Sequence, residues 1–426
     1  MTMSSALLTD HYELTMLQAA LLSGAAQRRA VFEVFARHLP GGRRYGVVAG
    51  TGRLLDLLQD FRFGDQELAF LAEHRVVDAP TLAFLADYRF TGHVYGYREG
   101  DIFFPGSPIL VVEGTFAEAV LLETLVLSVL NHDCAIAAAA SRMVHAAGGR
   151  PIIEMGSRRT HEQAAVAAAR AAYLCGFATT SNLMAGRLYG VPTAGTSAHA
   201  FTLVHDTEQA AFQAQLGSLG AATTLLVDTY DVPGAVRLAV ELAGPDLGAV
   251  RIDSGDLAVA AVEVRQQLDA LGAKGTRIVV TSDLDEFTIA ALAAAPVDGY
   301  GVGTSLVTGS GAPTAALVYK LVAREDADGT LQPVAKRSVG KPSKGGRKWA
   351  YRELSSGLAV AEIISTRPLD ETAGRPLLIQ LMRDGEVIGR ESLEAARERH
   401  RLTMREMPPT AQSLSPGDPA VPSIFR

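Results

Sequence analysis

The sequence predicts an α/β fold: an irregular α/β barrel with an additional α+β sandwich domain built from the N-terminal and C-terminal segments. Three observations carry this reading. Between Pro151 and Tyr300, short apolar runs alternate with stretches of helical spacing. Apolar runs give way to polar tips, as in EMGSRR (Glu154 to Arg159), GTSAHAF around His199, RIDSGDL (Arg251 to Leu257) and GVGTSLVTG (Gly301 to Gly309). The segments flanking this region are rich in strand formers broken by Gly and Pro. Reactive residue types gathered at the C-terminal ends of parallel strands are the pattern of a barrel active site. Periodicity alone does not show closure, so an open doubly wound sheet stays as the alternative.

The elements follow in chain order. Leu14, Leu17 and Leu21 in TDHYELTML share one helical face that needs a surface to pack on. Arg89 to Glu113 alternates aromatic and β-branched residues with Gly and Pro, which predicts antiparallel strands and tight turns. Phe116 to Ala147 is Ala- and Leu-rich and predicts a long helical region. Strands are then expected at Pro151–Ile153, Val191–Ala194, Thr224–Val227, Ala249–Ile252, Arg277–Val280 and Val297–Tyr300, with helices over His161–Leu174, Gly234–Ala243, Asp256–Leu271 and Asp285–Ala294. After Val322 the Gly and Lys content rises, and EIISTRPL and PLLIQLMRDGEVIG read as paired strands. A helix over Ser392–Arg405 precedes a Pro- and Ser-rich tail, Pro408 to Pro422, expected to be surface-bound or loosely ordered. The domain reading is 1–130 sandwich, 131–325 barrel, and 326–426 returning strands, helix and tail.

Composition fits a soluble enzyme. A hydrophobic content of 48% supports a sizeable core, and 46 acidic against 39 basic residues leave a net charge of −7. No global positive field favours nucleic acid. Cys134 and Cys175 lie in apolar helical contexts, as reduced core thiols do. With no signal-like N-terminus and no continuous apolar run of about 18 residues, the expectation is a cytoplasmic protein without a membrane segment.

Several side chains carry chemistry at these tips. His199 sits between Ala198 and Ala200, which leave its imidazole unobstructed, and a largely neutral imidazole is a competent nucleophile. Arg158 and Arg159 are either solvated or held for a bidentate anion. Arg251 and Asp253 are two apart on a strand and so face one side. Asp253 and, more strongly, Asp256 also suit a helix N-cap. Gly301 and Gly303 let backbone N–H groups approach an anion, with Thr304 adding a hydroxyl. Lys336 to Lys348 (KRSVGKPSKGGRK) is a solvated loop or an anion contact. His11, His132 and His161 lack such company and suit surface or capping roles.

In order along the chain, LLTDHYELTMLQAALL, FARHLPGGRRYGVVAG, EMGSRR, TTSNLMAGRLYGVPTAGTSAHAF, LLVDTYDV, RIDSGDL and GVGTSLVTG resemble the nicotinate phosphoribosyltransferases, a type II phosphoribosyltransferase family. The resemblance covers roughly residues 7 to 352. It implies NAD salvage: transfer of phosphoribose from phosphoribosyl pyrophosphate to nicotinate, coupled to ATP hydrolysis through a phosphohistidine, with Mg²⁺, in a homodimer with shared sites. On that resemblance His199 is the phosphate acceptor. Tyr12, Met155, Arg158, Ser181, Thr196 and Arg251 are implied for nicotinate, with Tyr12 reaching across the dimer. Arg158, Arg251, Asp253, Ser254, Gly255, Gly301, Gly303 and Thr304 are implied for the sugar phosphate and pyrophosphate. Asp253 is the candidate metal ligand, and the full ligand set stays unknown. Met155 departs from the Phe of many relatives, and the lysine-rich segment is short. Quinolinate or nicotinamide phosphoribosyltransferase remains the alternative. A barrel lyase or aldolase would need a Schiff-base lysine, for which Lys274 and Lys320 are poorly placed.

Overall fold

The computed structural model describes residues 5–336 and 344–426, with Glu371 described in its backbone alone. The chain divides into two compact units, Met1–Ala138 with Ala312–Arg426, and Ala139–Gly311.

The first unit is built on an antiparallel seven-stranded sheet in the order Leu331–Pro333, Leu317–Glu325, Arg29–Ala36, Leu110–Thr115, His93–Gly96, Ile379–Arg383, Glu386–Val387. Arg29–Ala36 (RAVFEVFA) lies near its middle and is apolar almost throughout, because a strand covered on both faces loses the polar alternation. Phe32, Leu110, Val112 and Tyr319 belong to the main core, where the Phe32 and Tyr319 rings stack at 4.8 Å. Val31, Val111, Val322 and Ala323 form a second cluster. A four-stranded sheet orders Arg375–Pro376, Trp349–Ser355, Leu358–Ser365 and Ser423–Phe425.

Three expectations change here. Ala312–Glu325 falls in the first unit and not with the barrel, because Leu317–Glu325 pairs with Arg29–Ala36. Leu14 and Leu17 are buried in their own chain's core and Leu21 packs against it, so this helical face needs no partner subunit. The EIIS and LLIQ runs are not partners: Leu358–Ser365 pairs with Trp349–Ser355, and Ile379–Arg383 with His93–Gly96. Of the two readings of the tail, surface-bound and loosely ordered, the first holds. Gly417 N–H donates to Gly42 O at 2.9 Å, Ala420 N–H to Arg44 O at 2.8 Å, and Ser423–Phe425 completes the four-stranded sheet.

The second unit holds six strands: β1 (Ile152–Glu154), β2 (Thr179–Thr180), β3 (Thr224–Leu226), β4 (Ala249–Ile252), β5 (Arg277–Val280) and β6 (Gly299–Val302). They pair in parallel in the order β2-β1-β6-β5-β4-β3, with no ladder between β2 and β3 among the described residues. The sheet is an irregular, open version of a barrel. Helices Glu162–Cys175, Val232–Ala243 and Leu257–Ala270 cross between strands, as parallel connections require. Val191–Ala194 forms no strand; only a bridge from Thr193 to Thr180 remains. His199 therefore heads a five-residue helix, His199–Leu203, and does not sit on a strand end. β6 starts two residues later than the sequence pattern placed it, so Gly301 belongs to the strand.

Glu123–Ala146 is long and apolar enough to cross a membrane by length and composition, yet 72% of its most apolar window is buried inside the protein. Both cysteines are buried and form no disulfide.

Candidate active site

Strand ends and the loops after them wall a cleft of about 250 Å³ lined by Met155, Arg158, Arg159, Arg251, Asp253, Thr281, Ser282, Asp283, Gly301, Gly303 and Thr304. Three arginines face two aspartates there, a balance suited to an anionic ligand carrying hydroxyl groups. Gly301 is required by close approach: a Cβ at this position would lie 2.5 Å from Thr281 Cγ2 and 2.9 Å from Met155 Sδ. Gly303 precedes a single four-residue turn of helix, Thr304–Val307.

The ends of β3 and β4 are locked together. Asp228, the residue after Val227, is buried; its Oδ2 accepts the Asp253 N–H at 2.9 Å and the Ser254 hydroxyl at 2.7 Å. Its Oδ1 is buried with no hydrogen-bond partner in the protein and lies 3.9 Å from His199 Nε2. Asp253 Oδ2 lies 3.8 Å from the same nitrogen, and Thr229 Oγ1 lies 3.2 Å from His199 Nδ1. Asp253 Oδ1 accepts the Thr281 hydroxyl, which ties β5 to the cluster. His199 is outside the cleft lining yet reaches it through Asp253.

Arg251 donates to Thr196 Oγ1 at 3.4 Å, and its Nε is buried without a partner. Burial pushes its guanidinium below the ordinary value, Asp253 and Asp228 oppose that, and Arg158 adds to it. An arginine so placed stays charged at neutral pH and keeps a donor for a ligand. Ser181 and Thr196 are exposed and do not line the cleft; Thr196 meets its lining residue Arg251, and the Ser181 N–H donates to Glu154 O. Gly255 takes φ +82°, in the turn leading to the helix that Asp256 caps through Ala258 and Val259. The N-cap is thus Asp256, which leaves Asp253 free for the site. Tyr12 is partly exposed on helix His11–Ser23 of the first unit.

Of the remaining histidines, His161 caps its helix through Gln163 and His132 pairs with Asp133 at 2.8 Å. Within the basic stretch, Arg337 and Lys341 lie outside the described residues, while Lys348 is buried against Glu33 at 2.8 Å. None of the cleft's lining side chains is a lysine, and Lys320 pairs with Glu123 at 3.4 Å, so the Schiff-base reading gains nothing.

Sequence reasoning gave no role to Asp228, Thr229, Ser282 or Asp283. Each is among the first polar residues after an apolar run, which is the signal that finds such positions. Ser282 also holds φ 138°, a region that glycine favours, at the wall of the cleft.

A profile of the nicotinate phosphoribosyltransferase (NAPRTase) N-terminal domain matches residues 7–131. Nicotinate phosphoribosyltransferase pncB1 of Mycobacterium tuberculosis is 57% identical over 429 residues, spanning 98% of this chain and 94% of the relative. The crystal structure of human nicotinic acid phosphoribosyltransferase superposes with a TM-score of 0.83 at 28% identity, covering 98% and 97% of the two chains. That of a nicotinate-nucleotide pyrophosphorylase from Pyrococcus furiosus gives 0.78 at 25% identity, covering 95% and 96%. With identity of this extent along nearly its whole length, the chain belongs to the nicotinate phosphoribosyltransferases, a family of enzymes.

Proposed function

We propose that this chain forms nicotinate mononucleotide and pyrophosphate from nicotinate and phosphoribosyl pyrophosphate, coupled to ATP hydrolysis through phosphorylation of His199. The observation that carries the reading is the His199 cluster: two carboxylates face Nε2 at 3.8 and 3.9 Å, while Nδ1 faces only the Thr229 hydroxyl. Carboxylates hold a proton on the nitrogen they face, so the lone pair resides on Nδ1. That nitrogen attacks the γ-phosphorus of ATP; the bond to the bridging oxygen breaks and ADP leaves with the electron pair. Water later cleaves the P–N bond.

In the transfer itself, the C1–O bond to pyrophosphate breaks through an oxocarbenium-like state as the pyridine nitrogen lone pair bonds to C1. No general base is needed. The protein positions both partners and stabilises charge on the leaving group. Arg158 and Arg251 bind the nicotinate carboxylate and the phosphates, with Thr196 holding Arg251. Asp253, Ser254 and Gly255 take the ribose hydroxyls, and Gly301, Gly303 and Thr304 cradle the 5-phosphate. Met155 and Ser181 flank the pyridine ring.

Mg²⁺ fits the donors present. Asp228 Oδ1 is an orphaned buried oxygen beside Asp253, and magnesium is held by one or two carboxylates with substrate phosphates completing its shell. Among the described residues no group of three or more His, Cys, Asp or Glu side chains is arranged to hold a metal ion. When bound, Mg²⁺ neutralises phosphate charge.

The working unit is a homodimer in which Tyr12 stacks on the ring held by the other subunit. Support comes from large apolar side chains exposed on the unit that carries the cleft: Leu183, Met184, Leu188, Leu203, Val204 and Tyr230. Such a surface calls for a partner, and a two-fold interface supplies one reciprocally. The same reading places the enzyme in the cytoplasm, free of membrane and nucleic acid. Incubation with ATP should leave an acid-labile phosphate on the protein, absent from His199→Ala together with the ATP stimulation. A His199→Ala protein that still hydrolyses ATP in step with product would overturn the assignment.

A further inference from the structure

Glu154 is a fully buried carboxylate at the end of β1, immediately behind the cleft wall that carries Met155 and Arg158. Its two oxygens accept the Gly156 N–H and the Thr180 hydroxyl, and among the described residues no cation pairs with it. Burial pushes its carboxyl up, against the lowering from these two donors. An unneutralised buried carboxylate costs stability that an apolar residue of similar volume would not. What it does is geometric. Its backbone lies in register with Val302 on β6 and Thr180 on β2, and its carbonyl accepts the Ser181 N–H at 2.8 Å. Thr180 Oγ1 in turn accepts the Asn182 N–H at 2.9 Å, and Asn182 Nδ2 donates to Ser157 Oγ at 2.9 Å. A chain of hydrogen bonds, Glu154–Thr180–Asn182–Ser157, therefore ties the tips of β1 and β2, and the backbone from Ser157 to Glu154 completes the cycle.

We propose that Glu154 is a specificity-determining positioning residue: through Thr180 and Gly156 it sets the gap between the wall bearing Met155 and Arg158 and the edge bearing Ser181. This rests on the proposed nicotinate slot between those residues. The sugar contacts at Asp253–Gly255 lie outside the cycle, while the phosphate cradle at Gly301–Thr304 packs beside its Met155–Gly156 segment: the Met155 N–H donates to Val302 O at 2.8 Å. Loosening the cycle changes the fit of the pyridine acid most; the sugar phosphate site, which shares Arg158 and the cradle with this wall, changes less.

The test compares wild type, Glu154→Ala, Glu154→Gln and Thr180→Val by steady-state kinetics, with thermal unfolding to show that each variant is folded. Wild-type turnover of nicotinate is measured first; its failure rejects the functional reading itself, not the role of Glu154. A charge-assisted hydrogen bond lost at a binding wall corresponds to about a tenfold change in binding. Glu154→Ala is expected to raise KM for nicotinate about tenfold, to raise KM for phosphoribosyl pyrophosphate by no more than about threefold through the shared Arg158, and to narrow the preference for nicotinate over nicotinamide. Glu154→Gln, which still offers one acceptor, should recover most of this. Thr180→Val keeps the side-chain volume and tests the same cycle should Glu154→Ala not fold. Parallel changes in both KM values, or no change in either with unaltered pyridine preference in a folded variant, would overturn the proposal.

Discussion

Replacing Asp228 by Asn separates the packing of the His199 cluster from its charge. The side chain keeps its shape, and the amide oxygen can retain both bonds that Oδ2 accepts, from the Asp253 N–H and the Ser254 hydroxyl. The amide nitrogen then faces His199 Nε2 at the position of Oδ1, 3.9 Å away. An N–H directed at Nε2 favours the tautomer with its proton on Nδ1, which removes the lone pair that attacks ATP. The imidazole turns positive as Nδ1 bonds to phosphorus, and the carboxylate charge lost would interact with that charge over this distance by about 1 kcal/mol in bulk water and about 4 kcal/mol at an effective dielectric near 20. His199 and Asp253 are each 39% exposed in their side chains, and Asp253 still faces Nε2, so the lower half of that range applies. About 2 kcal/mol corresponds to roughly a 30-fold slower phosphorylation. The assay is rapid-quench labelling with γ-labelled ATP, scoring acid-labile, base-stable phosphate on the protein. A folded Asp228→Asn protein labelled within about twofold of the wild-type rate would refute the reasoning.

Three further outcomes follow from other parts of the molecule. Tyr12→Ala and His199→Ala should each be nearly inactive, while subunit exchange between them restores part of the activity, because one site of the heterodimer carries neither change; verified exchange by mass without recovery would place Tyr12 in cis. His400 is buried on helix Leu393–Glu406, its Nδ1 3.4 Å from Gly100 O, and burial pushes it down to about 4 from 6.5. Its folded value is the lower one, so the unfolded chain gains the proton first: stability falls as pH drops from 6.5 towards 4, by on the order of 3 kcal/mol, and His400→Gln should flatten that slope in urea titrations. Lys348→Met strands the buried Glu33 carboxylate and should cost about 3 kcal/mol in urea denaturation, whereas Glu33→Leu with Lys348→Met recovers most of it.

Local pattern was enough to read the parallel core of the second unit. Ala249–Ile252 and Arg277–Val280 are strands at the predicted residues, because each is an apolar run between a turn and a polar tip. Met155, Arg158, Arg251, Asp253, Gly301, Gly303 and Thr304 converge on one cleft for the same reason. What escaped the sequence depends on partners far along the chain. Leu317–Glu325 follows the barrel strands in order, but its hydrogen bonds go to Arg29–Ala36, and no local signal announces that pairing. The Pro-rich tail lacks periodicity, yet the Gly42 and Arg44 carbonyls and the edge of Leu358–Ser365 receive it. Asp228 looked like one more strand-end carboxylate. Its meaning lies in the orphaned oxygen beside His199, which only three dimensions reveal.

The central claim meets its most direct test in product formation by the purified chain from phosphoribosyl pyrophosphate and each pyridine substrate, nicotinate, nicotinamide and quinolinate, with and without ATP and Mg²⁺. Predicted is nicotinate mononucleotide as the main product, ADP released in step with it when ATP is present, and much slower use of nicotinamide. Product from quinolinate with release of CO₂, or nicotinate turnover with no ADP formed and no label on His199, would contradict the account.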